Sequence, residues 1–67
     1  MIEPGLYKHF KGGRYRVLLT ASHSETKEDM VVYVSLSYGT IWARPAAMFN
    51  ETVQYPDGTS GPRFVRE

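Results

Sequence analysis

The chain contains no cysteine. Disulfides therefore cannot staple it, and no thiolate can hold zinc. Its longest uninterrupted apolar run is "MVVYV", residues 30–34, far short of the roughly 20 residues that span a bilayer. The opening "MIEPGLYKHF" has no basic stretch followed by a long apolar one, so no signal peptide is read there. A cytoplasmic protein without a membrane partner is expected. Net charge is only +1, which gives no overall pull toward nucleic acid. The G-x-S-x-G elbow of hydrolases is missing, and so is the G-x-x-x-x-G-K-[ST] phosphate loop. A chain of 67 residues rarely encloses a pocket of several hundred Å³ alone. These absences favour a binding module over an enzyme. The length itself implies one domain over residues 1–67. A chain this short buries only about 60% of its unfolded surface, so each large apolar side chain carries weight.

What is present reads as strands and turns. "EPGLYKHFKGGRYRVLLTAS" forms two strands about Gly12-Gly13, because glycine takes the positive φ that tight hairpins need. On the second strand Tyr15, Val17, Leu19 and Ala21 alternate with Arg14, Arg16, Leu18 and Thr20. The odd positions are expected inward. "DMVVYVSLS" is a third strand, apolar on both faces. Either it is central and covered on both sides, or a bulge shifts its register. "IWAR" is a short fourth strand. Pro45 suits the first turn of a short helix or 3₁₀ turn over residues 45–50, pinned by Met48 and Phe49. "ETVQY" is a further strand, "PDGTSG" a turn, and "PRFVR" a last strand anchored by Phe64. The fold expected is all-β: a small SH3-like antiparallel barrel of five to six short strands.

Several residues carry candidate chemistry. Residues 7–16 hold Lys8, Lys11, Arg14 and Arg16, three aromatics and no acid, whereas "ETKED", residues 25–29, holds three acids. Both stretches can be ordinary solvated surface, or the first can be a patch for a phosphate-bearing ligand. Ser22-His23-Ser24-Glu25 matches the S-x-x-E capping box. The segment can equally be a plain hairpin loop, or place His23 beside Glu25. His9 and His23, the only histidines, suggest a weak metal or acid–base site with Glu25 or Glu51, but their spacing fits no established zinc motif. No cofactor is expected. Trp42 and Arg44 share a face of the fourth strand. If that face is inward, Trp42 fills the core and Arg44 pairs with a buried acid. If it is outward, the two form an interface anchor, which Tyr7 and Tyr15 can extend.

Taken together, "GLYKHFKGGRYRVL", "SHSET", "VVY" and "WARPAAMFNETV" resemble, in order and spacing, a small family of bacterial and phage proteins known only as a domain of unknown function. The likeness runs over about residues 4–66. Its pattern falls on Gly5, Tyr7, His9, Lys11, Gly12, Tyr15, Val17, His23, Ser24, Glu25, Thr26, Tyr33, Trp42, Arg44, Pro45, Met48, Phe49 and Glu51. Val34 and Phe10 depart from it, where a basic residue and a tyrosine are expected. The resemblance implies a compact β-barrel module and no particular activity. It also implies that "HSET" is a fixed polar structure. A hydrogen-bonded cluster of His23, Glu25, Arg44 and Glu51, with His9 nearby, is the expectation, since buried charges need partners. The ligand face expected combines Tyr7, His9, Lys11, His23, Glu25, Trp42 and Arg44. Its ligand is first a protein or peptide, then nucleic acid through residues 7–16. The chain is expected as a monomer or a weak homodimer through an exposed strand edge.

Overall fold

The computed structural model describes residues 2–67. Seven strands and one short helix follow in the order β1 (Gly5–His9), β2 (Arg14–Ser22), β3 (Asp29–Ser35), β4 (Ile41–Pro45), α1 (Ala46–Phe49), β5 (Thr52–Gln54), β6 (Ser60–Pro62) and β7 (Phe64–Arg66). The all-β class and the helical turn after Pro45 are as expected. The strands pair antiparallel in one sheet, β4-β3-β2-β1-β7, and in a separate ribbon, β5-β6. These pairings leave β4 and β7 as edges rather than closing an SH3-like barrel. The end of the stretch read as a turn is itself a strand: Ser60 and Gly61 join Pro62 in β6, and the expected last strand is reduced to Phe64–Arg66 of β7. No helix among the described residues is long and apolar enough to cross a membrane.

The β1–β2 turn follows from its glycines. Gly12 takes φ +105° and donates to the His9 carbonyl at 2.8 Å, while the His9 N–H reaches the Gly13 carbonyl at 2.7 Å. This is a three-residue loop with glycine where a side chain would strain. Gly61 serves a different need: a Cβ there would stand 2.5 Å from the Tyr55 hydroxyl, which donates to the Pro62 carbonyl at 2.9 Å.

A bulge in β2 decides which residues face the core. Val17 pairs with Tyr33 and Leu19 with Val32, so Leu18 has no partner. An extra residue reverses the parity of the strand beyond it. Val17 is inward as expected, at 1% exposure, but Leu19 is half-exposed and Ala21 exposed, contrary to the expectation. The bulge thus lies in β2, the partner of the doubly apolar strand, and not in β3 itself. On β3, Val31, Tyr33 and Ser35 are buried, while Met30, Val32 and Val34 are half-buried on the opposite face.

The core is Ile2, Tyr7, Val17, Val31, Tyr33, Phe49 and Phe64, with Tyr15 and Ala46 packed against it. Phe49 of α1 lies flat on Phe64 of β7, with ring centroids 4.1 Å apart and 1° between planes. Tyr7 and Tyr33 meet Phe49 edge-on at 5.4 and 5.8 Å. Met48, expected to help pin the helix, is 47% exposed, because one short turn can direct only one large side chain inward. Three ion pairs tie the last residues to the rest: Arg63 to Glu51 at 2.7 Å, Arg66 to Glu3 at 2.8 Å, and Arg14 to Glu67 at 2.9 Å. Such exposed pairs contribute little individually, so the aromatic stack holds these elements. Phe64→Ala is therefore expected to cost about 3–5 kcal/mol, most of the stability of so small a domain. Met48→Ala is expected to cost under about 1 kcal/mol. Urea unfolding followed by circular dichroism measures both, and equal losses would contradict the assignment.

Candidate functional site

A cleft of about 310 Å³ opens on the inner face of the sheet. Tyr33 on β3 sits opposite Trp42 on β4, and Val31 opposite Arg44. Directly opposed residues share a face, so Trp42 and Arg44 turn to the same side as the buried Tyr33 and Val31. Because β4 is an edge strand, that side is only partly covered there. Trp42 is 52% exposed. Its indole therefore borders the cleft and does not fill the core. Tyr15, Tyr33 and Phe64 form the floor, packed edge to face at 5.5–5.9 Å. His9 closes one side, 4.9 Å from Phe64. The exposed Tyr38 stands at the rim.

The electrostatics of the cleft are one-sided. No carboxylate lines it. Arg44 is half-buried, and its Nε donates to the Tyr33 hydroxyl at 3.3 Å. It makes no ion pair among the described residues, whereas Arg14, Arg63 and Arg66 each do. The inward-facing arginine was expected to find a buried acid. It finds a phenol, because Glu51 is engaged by Arg63 at 2.7 Å. Desolvation of the ring pushes the His9 imidazole below the usual histidine range, and the charges of Arg63, Arg44 and Lys11 push it the same way.

The two histidines turn out to perform one local task. His9 Nδ1 accepts the Lys11 N–H at 3.1 Å. His23 Nδ1 accepts the N–H groups of Glu25 and Thr26 at 3.1 and 3.3 Å. The His23 carbonyl also accepts from the Lys27 N–H at 2.9 Å, and Lys27 ends the turn at φ 66°. Ser35 Oγ and Asp57 Oδ1 serve the β3–β4 and β5–β6 turns likewise, accepting from Tyr38 and Thr59. Each of these hairpin turns thus has a side-chain acceptor satisfying a backbone amide, as an N-cap does for a helix. In the "HSET" segment the capping residue is His23, not Ser22, and the partner of its lone pair is the amide of Glu25, not the carboxylate.

The sequence-predicted site residues therefore separate. His9, Trp42 and Arg44 meet in the cleft. Tyr7 does not: it is buried in the core, its hydroxyl donating to the Glu3 carbonyl at 2.8 Å. Lys11 lies on the β1–β2 turn with its ammonium 5.6 Å from the Phe10 ring centroid. His23 and Glu25 occupy the β2–β3 turn. Along β3 that turn begins four residues beyond Tyr33, roughly 13 Å at the rise of a strand. The expected cluster of His23, Glu25, Arg44 and Glu51 is accordingly replaced by separate contacts: a turn cap, an arginine–phenol bond and an ion pair with Arg63. Among the described residues no three His, Cys, Asp or Glu side chains come together to hold a metal ion. Sequence reasoning missed Tyr33, Ser35, Tyr38 and Phe64 as cleft residues. The parity of Tyr33-x-Ser35 with Trp42-x-Arg44 was the available signal.

The family model described as "Protein of unknown function (DUF1653)" matches residues 5–66. The chain is similar to a DUF1653 protein from Bordetella bronchiseptica whose crystal structure is known, with 37% identity and a TM-score of 0.87. The match covers 98% of this chain and 87% of that one. No curated protein matches.

Two outcomes follow from the histidines. His23→Ala is expected to destabilise the domain by about 0.5–2 kcal/mol, and His23→Asn, which keeps an acceptor, by a few tenths. In two-dimensional ¹H–¹⁵N spectra the neutral His23 ring should carry its hydrogen on Nε2; a proton on Nδ1 would refute the cap. For His9 the folded state disfavours the imidazolium, so the unfolded chain binds more protons between the two pKa values. Its contribution is fully present above about pH 6.5, the unfolded value. It is lost as pH falls through the lowered folded value. Unfolding free energies from pH 7.5 to 5 should decline, and His9→Asn should flatten that decline.

Proposed function

We propose, for a chain that belongs to the DUF1653 family of proteins of unknown function, that the domain is a binding module for an extended segment of a partner protein. The observation that carries this reading is the open edge of β4 beside the cleft. β4 pairs with β3 on one side only. Half of its N–H and C=O groups therefore point outward, ready to pair with an added strand. Ile41, Trp42 and Ala43 are exposed along it. A strand laid against β4 sets every second side chain over the cleft face, beside Trp42 and Arg44. Tryptophan and arginine are among the residues most enriched at the hot spots of protein interfaces. A cleft of about 310 Å³ suits one or two side chains of such a segment.

The distribution of basic groups favours a peptide over a nucleic acid. Of the bases in residues 7–16, Arg14 is occupied by Glu67 in a two-pronged ion pair, while Lys8 and Arg16 are exposed without an ion pair among the described residues but lie outside the cleft. Lys11 lies over Phe10. The cleft itself holds one free guanidinium, too few for a run of phosphates. The cysteine-free composition supports a cytoplasmic setting.

Trp42 is the sole tryptophan, so its fluorescence reports on the cleft directly. Random peptides displayed on phage are selected on the domain, and the enriched peptide is titrated into ¹⁵N-labelled protein. The largest amide shifts are expected at residues 41–45. Trp42→Ala should weaken binding at least tenfold, about 1.4 kcal/mol, with little effect of salt. Mixed-sequence single-stranded DNA is the control. Shifts by DNA over residues 7–16 that fade between about 50 and 200 mM salt, with no peptide moving β4, would overturn the reading.

A further inference from the structure

The cleft specifies more than a place for a strand. Arg44 is a half-buried cation in a recess with no carboxylate. Its terminal nitrogens are not among the buried unpaired atoms and so reach the solvent of the cleft, where a ligand can meet them. A guanidinium has five N–H donors, and Arg44 uses its Nε toward Tyr33. Its terminal nitrogens make no ion pair among the described residues. His9 supplies a second donor. With Nδ1 occupied as an acceptor of the Lys11 amide, the neutral ring carries its hydrogen on Nε2. Both residues line the same cleft.

Building on the peptide-binding reading, we infer that the side chain entering this cleft is a carboxylate, bound by the planar fork of Arg44 with His9 as second donor. Charge count separates this from a phosphate. The lining offers one uncompensated positive charge, which matches a single carboxylate. Arg63, the next cation toward His9, is neutralised by Glu51. The fork of arginine matches the two oxygens of a carboxylate in one plane. The rings of Tyr15, Tyr33 and Trp42 then cover the apolar stem that carries it, as amphipathic surfaces do. A glutamate, an aspartate or the free end of a chain all present this group.

The groups facing His9 are Lys11 on its own turn, Tyr15 on β2, Arg44 on β4 and Arg63 before β7. Lys8 and Asp57 border a second recess on the other side of His9, while the charges that act on the ring are all cations. An anion placed among them favours the imidazolium. Binding should therefore raise the His9 titration midpoint, and the same site should bind more tightly as pH falls through that midpoint.

Benzoate is the probe, with benzamide as its neutral counterpart and inorganic phosphate as the competing anion. In ¹H–¹⁵N spectra that include the arginine Nε–H, benzoate is expected to shift Arg44 saturably in the millimolar range and to move the His9 midpoint upward. Benzamide at equal concentration should leave both in place. Arg44→Gln should weaken benzoate at least tenfold. Arg44→Lys, which keeps charge without the fork, should fall between, and thermal melts identify any variant that is unfolded. Equal shifts by benzamide and benzoate would overturn anion recognition. Phosphate acting at lower concentration than benzoate would overturn the carboxylate assignment. An enriched peptide that moves β4 with unchanged affinity for Arg44→Gln sinks this inference and leaves the peptide reading standing. Benzoate binding as described, with no peptide pairing on β4, does the reverse.

Discussion

The stack of Phe49 on Phe64, 4.1 Å between centroids, joins the short helix α1 to the last strand, and the rest of the fold is arranged around it. A sheet needs something to cover one face, and here that cover is very small. A four-residue helix and a three-residue strand cannot hold their places by backbone hydrogen bonds alone. Their position comes from two aromatic rings packed face to face, with Tyr7, Tyr15 and Tyr33 set edge-on around them. Edge-to-face contacts of this kind add to what area burial provides. Phe64 is also the floor of the cleft and the neighbour of His9. Stability and the candidate site therefore share the same ring.

That sharing explains the character of the cleft. A domain of this size has too few apolar residues to fill both the inner face of the sheet and its edge. The core occupies the middle of the face. At β4 the face continues past the cover, so Trp42 and Arg44 remain partly in water while facing inward. The recess is consequently aromatic, positive and open, with its one cation bonded to a phenol. Three acids are engaged by other arginines: Glu51 by Arg63, Glu67 by Arg14 and Glu3 by Arg66.

The turns show where residue patterns can mislead. "SHSET" contains the S-x-x-E signature, and the motif suggested Ser22 with Glu25. The chain instead places the lone pair of His23 against two consecutive amides. A side-chain acceptor near a turn can hold it in this way, and His9, Ser35 and Asp57 each accept one backbone amide at other turns. The polar character of the segment was legible; its partners were not, since the competing acceptors differ only in a local dihedral choice. The inward set of β2 failed for a comparable reason. Alternation predicts a face only while the register is unbroken, and the unpaired Leu18 inverts it for Leu19 and Ala21.

Strand content, hairpin turns, the short helix after Pro45 and the anchoring role of Phe49 and Phe64 were determined by the sequence alone. They rest on local chemistry: period-two patterning, glycine at positive φ, and proline's constraint on the backbone. The family likeness, too, lies in the order of residues. Which strands form edges, where the bulge falls, and which polar groups meet were decided by the tertiary structure. Those outcomes depend on pairings between residues distant along the chain. The cleft is the clearest case: His9, Tyr33, Arg44 and Phe64 come from four different strands, and no local rule brings them to one place.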